Sequence, residues 1–152
     1  MSSAQTTIEA VKKSLVVTCS PERAFEVFTR EIGSWWPTGQ HSIGGDKITE
    51  VVFEEQVGGR IFERHSDGGE GDWGRVLAWE PPTRFVMSWY PGGAPAEATE
   101  LEVRFAAEGD GTKVELEHRG WEILGERAAE SRTGYDGGWV SVLGFYETAA
   151  NG

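Results

Sequence analysis

Val16-Val17-Thr18-Cys19-Ser20-Pro21-Glu22-Arg23-Ala24-Phe25-Glu26-Val27-Phe28 carries a strand straight into a capped helix. The β-branched residues before Cys19 favour extended backbone, so a first strand is expected over 8–18. Ser20 offers an N-cap oxygen, Pro21 takes the first helical position where its missing N–H costs nothing, and Glu22 suits the helix dipole. Ala24, Phe25, Phe28 and Ile32 recur at helical spacing. They predict one apolar stripe that continues through a turn at Gly33 to Trp35 and Trp36 and stops at Pro37. Such a stripe needs a sheet to cover it. At the far end, Tyr135, Trp139, Val142, Leu143 and Tyr146 fall on one face of a helix expected to begin near Glu126. Gly134, Gly137, Gly138 and Gly144 each weaken that helix by about 1 kcal/mol relative to alanine, and close packing is expected to compensate.

Between the two ends the hydrophobic period is two. Six strands are predicted, over 48–56, 60–65, 72–80, 84–90, 97–107 and 112–118, with links short enough for antiparallel neighbours. Leu101, Val103 and Phe105 alternate with Glu100, Glu102 and Arg104, which puts one face on a core and the other in water. The fold class that follows is α+β, with one helix laid across the concave face of a seven-stranded antiparallel sheet. At 152 residues the chain is read as one domain, 1–152, large enough for a single core.

Charge narrows the partners. A net charge of -11, from 25 acidic and 14 basic side chains, repels phosphate backbones and anionic lipid heads, so neither nucleic acid nor membrane is an expected partner. Residues 1–7 are small and polar, with no basic segment leading into an apolar run, and a cytoplasmic location is expected. The one cysteine, Cys19, has no intramolecular disulfide partner and agrees with a reducing compartment. Its place before a helix N-terminus can lower a thiol pKa, although a small buried residue is the commoner role.

Several blocks carry a family resemblance. Gly59-Arg60 with Glu63, Trp73-Gly74-Arg75-Val76-Leu77, Glu80-Pro81-Pro82-Thr83-Arg84-Phe85, Trp89, Leu116-Glu117-His118-Arg119-Gly120-Trp121 and Tyr135-Asp136-Gly137-Gly138-Trp139 stand in order along the chain. Together they resemble bacterial proteins related to the C-terminal domain of the heat-shock-chaperone ATPase activator, in the START-like (SRPBCC), pollen-allergen-like, helix-grip superfamily. The resemblance covers about 8–150 and implies the order β-α-α-β6-α, with a cavity between the sheet and the long C-terminal helix. It also implies a chaperone as a candidate partner, although no counterpart of the separate chaperone-anchoring domain of the eukaryotic activators is expected in a chain of this length. Superfamily relatives include lipid carriers, hormone receptors and aromatic polyketide cyclases, so the fold alone licenses none of these activities.

The residues that would carry chemistry follow from the expected inward faces. Trp36, Trp73, Trp89, Trp121 and Trp139 are candidates for a cavity wall, because indole faces bind flat apolar ligands and the indole N–H gives one orienting contact. Plain core packing is the competing role, above all for Trp139. Glu63 shares parity with Ile61, and His118 with Val114 and Leu116, so both are expected to point inward and to touch a ligand. An inward histidine and carboxylate are also candidates for a general acid-base pair, with Tyr135 beside them. A histidine on an apolar face is ordinarily a satisfied interior residue.

No metal is expected. His41, His65 and His118 lie on separate elements, and Asp67, Glu70 and Asp72 lack the spacing of a calcium loop. Gly69-Glu70-Gly71-Asp72-Trp73-Gly74 matches a dinucleotide fingerprint only formally, since a strand follows it where a helix is required; no cofactor is expected. The function read first is binding of a small hydrophobic or aromatic molecule, by a monomer or homodimer. A cyclase- or hydrolase-like enzyme and a chaperone-interacting module are the alternatives.

Overall fold

In the computed structural model, which describes residues 8–37 and 43–152, Ser20 caps the helix it introduces. Its Oγ accepts the Arg23 backbone N–H at 3.2 Å, and helix α1 spans Pro21–Phe28. The break that follows lies at Thr29–Glu31, ahead of the expected turn at Gly33. Thr29 sends both its N–H (3.0 Å) and its hydroxyl (2.8 Å) to the Phe25 carbonyl, closing α1 there. Gly33 sits inside a short helix α2 (Ile32–Trp35). There a Cβ would lie 3.3 Å from the Val51 carbonyl oxygen, so the residue permits close approach to the sheet.

Seven strands form one antiparallel sheet: β1 (Val11–Val17), β2 (Ile48–Phe53), β3 (Arg60–His65), β4 (Glu70–Glu80), β5 (Arg84–Trp89), β6 (Thr99–Glu108) and β7 (Gly111–Arg119). Their spatial order is β1-β7-β6-β5-β4-β3-β2. The first strand therefore seals the edge left by the last. Gly69 to Gly74 run from a hairpin turn into β4, which is why the fingerprint glycines there have no helix to lead into. Register irregularities interrupt β2–β3, β3–β4 and β4–β5, and such bulges bend a sheet.

The sheet has two chemically distinct faces. Leu101 pairs with His118, Val103 with Leu116 and Phe105 with Val114, and all six are buried. On the opposite face Glu102 joins Arg84, Arg104 and Arg119, with Glu100 and Glu117 alongside. Burial works against the Glu102 carboxylate, but the guanidinium groups of Arg119 and Arg84 outweigh it and hold the pKa at about 2.

Helix α3 (Ala128–Asn151) packs on the apolar face with α1 beside it, and the Tyr146 hydroxyl donates to the Ala24 carbonyl at 2.9 Å. Between helices and sheet Phe25, Phe28, Phe85 and Phe105 meet mainly edge to face, at centroid separations of 5.1–6.5 Å, the geometry aromatic quadrupoles favour. The α+β helix-grip architecture expected from the sequence is the one observed. Nothing lies within 4 Å of a Cβ built on Gly134, Gly137 or Gly144, so the packing that compensates for these glycines is made elsewhere on the helix. The helix is held by the opposite stripe, where Trp139, Val142, Leu143 and Tyr146 are buried. Among the described residues no helix is long and apolar enough to cross a membrane.

Candidate functional site

Two chambers lie at one end of the sheet, against α3. The larger has a volume of about 590 Å³. Its walls are aromatic: Trp36 from the end of α2, Trp89 from the end of β5, and Tyr135 and Trp139 from α3. Ile43 and Val142 add aliphatic surface, and Pro91 and Gly92 form the rim after β5. On α3 the small residues Ser131, Gly134 and Gly138 leave the space open that larger side chains would fill. The smaller chamber, about 150 Å³, shares Trp89, Pro91, Ser131 and Tyr135 with the first, and adds Trp121, Leu124 and Arg127.

The aromatic walls are fixed from behind by hydrogen bonds. Trp89 Nε1 donates to the Tyr135 hydroxyl at 2.9 Å, and Trp139 Nε1 donates to His118 Nδ1 at 3.0 Å. Because Nδ1 accepts, the proton of neutral His118 resides on Nε2, which donates to Thr99 Oγ1 at 2.7 Å. Thr99 passes its own hydroxyl hydrogen to the Trp89 carbonyl at 3.2 Å. Trp121 closes the circuit by donating to the His118 carbonyl at 2.9 Å. His118 is 0% exposed, and burial pushes its pKa down to about 3. Neutral and engaged at both ring nitrogens, it is a brace.

Glu63 anchors a separate network. Also 0% exposed, its carboxylate accepts from Trp73 Nε1 at 2.7 Å and from the Ile43 and Gly44 backbone N–H groups at 3.0 and 2.6 Å. His65 Nε2 approaches at 2.6 Å. Burial disfavours its charge, but these donors prevail and its pKa is lowered. Trp73 in turn packs on Trp36 (4.8 Å between centroids) and Trp89 (5.9 Å). Glu63 thus holds Ile43, a pocket residue, and supports two wall tryptophans.

The residues singled out in the sequence therefore divide. Trp36, Trp89, Tyr135 and Trp139 meet at the larger chamber, and Trp121 lines the smaller. Glu63, Trp73 and His118 are absent from both linings and stand behind them. Glu63 and His118 do not form the acid-base pair considered above, because β4, β5 and β6 lie between their strands and each is surrounded by its own partners. Parity pointed both side chains inward correctly but carries no distance across the sheet. Sequence reasoning missed Ile43, Pro91, Gly92 and Ser131; only Ser131 left a signal, one helical turn before Tyr135. Tyr135 itself is half-buried and its phenol pKa is raised, chiefly by burial, so it keeps its proton.

Among the described residues no cluster of histidine, cysteine or carboxylate groups is arranged to hold a metal. Glu70 and Asp72 are both paired with Arg60, at 2.9 and 2.7 Å, and His41 lies outside the described residues. Burial raises the Cys19 thiol pKa, the opposite of an activated nucleophile.

Comparison with known proteins relates this architecture to others. No curated protein matches the chain. Among solved structures, the anthrahydroquino-γ-pyrone synthase Txn09, complexed with SUM, is 40% identical, covering 82% of this chain and 84% of that one with a TM-score of 0.59. Aha1 from Colwellia psychrerythraea, solved as a dimer, is 18% identical, with coverage of 95% and 97% and a TM-score of 0.67. BH1534 from Bacillus halodurans is 17% identical, covering 96% and 99%, at 0.68. These last two share the fold. The model of the family described as "Activator of Hsp90 ATPase homolog 1-like protein" matches residues 18–144, and with the helix-grip fold and the 40% relative this shows that the chain belongs to that family.

Proposed function

We propose that the chain binds a planar, multi-ring aromatic molecule in the larger chamber. The observation that carries this reading is the wall itself, with Trp36, Trp89, Tyr135 and Trp139 around about 590 Å³, a size and lining suited to a compact aromatic ligand. Trp121 bounds the adjoining smaller space. Glu63, Trp73 and His118 brace these walls, so their part in binding is indirect. Rings already fixed by hydrogen bonds lose little freedom when a ligand arrives, which favours affinity.

Anthraquinone-2-carboxylate is a suitable probe, with quenching of tryptophan fluorescence as the readout. The blocking variant is Gly134→Trp, since a side chain there enters open space and the substitution removes a helix-weakening glycine. Saturable quenching by the wild type, lost in Gly134→Trp, is the expected result. Absence of quenching, or identical curves for the two proteins, would overturn the reading.

A second reading is favoured by the likeness to the γ-pyrone synthase Txn09: the bound molecule undergoes ring closure. For an aryl alkynyl ketone with a neighbouring phenol, the phenol oxygen bonds to the alkyne carbon distal to the ketone. One alkyne π bond breaks, and the phenolic proton ends on the carbon next to the ketone. The change is an isomerisation and needs no oxidant. The protein's contribution in this reading is to hold the two reacting atoms in contact and exclude water. Incubating a 1-hydroxy-2-alkynoyl anthraquinone with the protein and following pyrone formation tests it; a rate equal to that with Gly134→Trp would rule it out.

A further inference from the structure

Among the side chains that line the larger chamber, two carry hydroxyl groups, Ser131 and Tyr135. Ser131 and Tyr135 stand four residues apart on α3, a spacing that places side chains on the same helical face. Both line both chambers. A tyrosine hydroxyl donates one hydrogen and accepts others. At Tyr135 an acceptor site is filled by Trp89 Nε1 at 2.9 Å, and among the described residues its own hydrogen has no acceptor. The Ser131 hydroxyl likewise makes no hydrogen bond with any described residue, although Thr133 and Thr148 on the same helix return theirs to carbonyls four residues back. Two unspent donors therefore face the same space. The N–H groups of Trp73, Trp89, Trp121 and Trp139 nearby are spent on protein acceptors.

Resting on the reading that the chamber holds a planar aromatic molecule, we infer that Ser131 and Tyr135 form its oxygen-recognising edge and that the ligand is an aromatic ketone or quinone whose carbonyl oxygens lie along α3. The indole and aliphatic walls accept any flat hydrocarbon of suitable size. Discrimination falls to the hydroxyl pair, because a hydrocarbon would leave both donors without partners in a largely apolar space. The Trp89 contact fixes the Tyr135 oxygen and leaves its hydrogen to rotate toward the ligand. Burial keeps the phenol protonated, and a protonated phenol donates where a phenolate would repel a carbonyl oxygen. In a ring closure onto a carbon conjugated to that carbonyl, the same hydrogen bond stabilises the negative charge that develops on oxygen.

The test uses two probes of equal size, anthraquinone-2-carboxylate and anthracene-2-carboxylate, which differ only at the central-ring carbonyls. Affinities are measured by isothermal titration calorimetry for the wild type, Ser131→Ala, Tyr135→Phe and the double variant, with thermal melting to confirm folding. The wild type is expected to prefer the quinone by about tenfold or more. Each single variant is expected to reduce that preference, and the double variant to abolish it, while affinity for the anthracene stays within about twofold. A wild type with no preference, or a preference unchanged in both single variants, overturns the proposal while leaving the aromatic pocket standing. If neither probe binds the wild type, the pocket reading fails and this inference with it. Tyr135→Phe also deprives Trp89 of an acceptor; should that variant lose both probes equally, Ser131→Ala alone decides, and an undiminished preference there overturns the pair.

Discussion

His118 illustrates how a residue that looks catalytic in sequence becomes a structural pin. Its Nδ1 accepts from Trp139 and its Nε2 donates to Thr99, so protonation would have to displace an indole N–H inside the core. The ring takes up a proton near pH 6.5 when unfolded, but burial lowers the folded value to about 3. Between those values the unfolded chain binds more protons, so stability is full above about 6.5 and falls as the pH drops, by up to about 1.4 kcal/mol per unit. Glu102, held at about 2 against 4.5 unfolded, loses its contribution only in the more acidic range. The interval from about pH 6.5 to 5 thus isolates His118 from Glu102. Thermal melting of the wild type is expected to decline over that interval, whereas His118→Gln should start lower and change less. Equal slopes would exclude the neutral, buried state assigned here. Trp139 is 2% exposed, and Trp139→Ala should cost about 3–5 kcal/mol. Trp139→Phe, which leaves the His118 acceptor unpaired, should cost about 1–3 kcal/mol. Chemical denaturation that found Trp139→Phe as stable as the wild type would contradict the hydrogen-bonding role.

At the scale of elements, two glycines on different parts of the fold have opposite reasons to exist. Gly44 follows the pocket residue Ile43 and donates to Glu63; a Cβ there would lie 2.6 Å from His65 Nε2 and 2.9 Å from Glu63 Oε2. Gly44→Ala is therefore expected to loosen the grip of β3 on this segment and to weaken ligand binding as well as stability. Gly137 on α3 meets nothing within 4 Å. Gly137→Ala should stabilise by about 0.5–1 kcal/mol through helix propensity alone. Melting temperatures moving in opposite directions are the expected outcome, and a loss at Gly137 would mean that its backbone freedom is used. Nothing in the local sequence separates these two glycines. Helical spacing, strand parity and the Ser20-Pro21 cap are local patterns, so the elements were legible. The break at Thr29, whose hydroxyl joins its N–H on the Phe25 carbonyl, is not registered by residue spacing.

For the whole molecule, legibility stopped where distances across the sheet began. Parity assigned Glu63 and His118 to the inner face, but only the strand order, with β1 joining β7 and three strands between β3 and β7, sends them to separate networks. Each network supports one side of the same chamber: Glu63 through Ile43, Trp73 and Trp36, His118 through Trp139 and, by way of Thr99, Trp89. A ligand seated between them, as proposed, would touch α2, β5 and α3 at once, and its binding free energy would add to the stability of the folded chain as a unit. A probe at a hundred times its dissociation constant stabilises the native state by about 2.7 kcal/mol, which for a chain of this size corresponds to a rise of about 5–10 °C in melting temperature. Anthraquinone-2-carboxylate should produce that shift in a single cooperative transition, and Gly134→Trp should abolish it without lowering the unliganded melting temperature. A thermal shift of equal size in Gly134→Trp would place the probe outside the chamber.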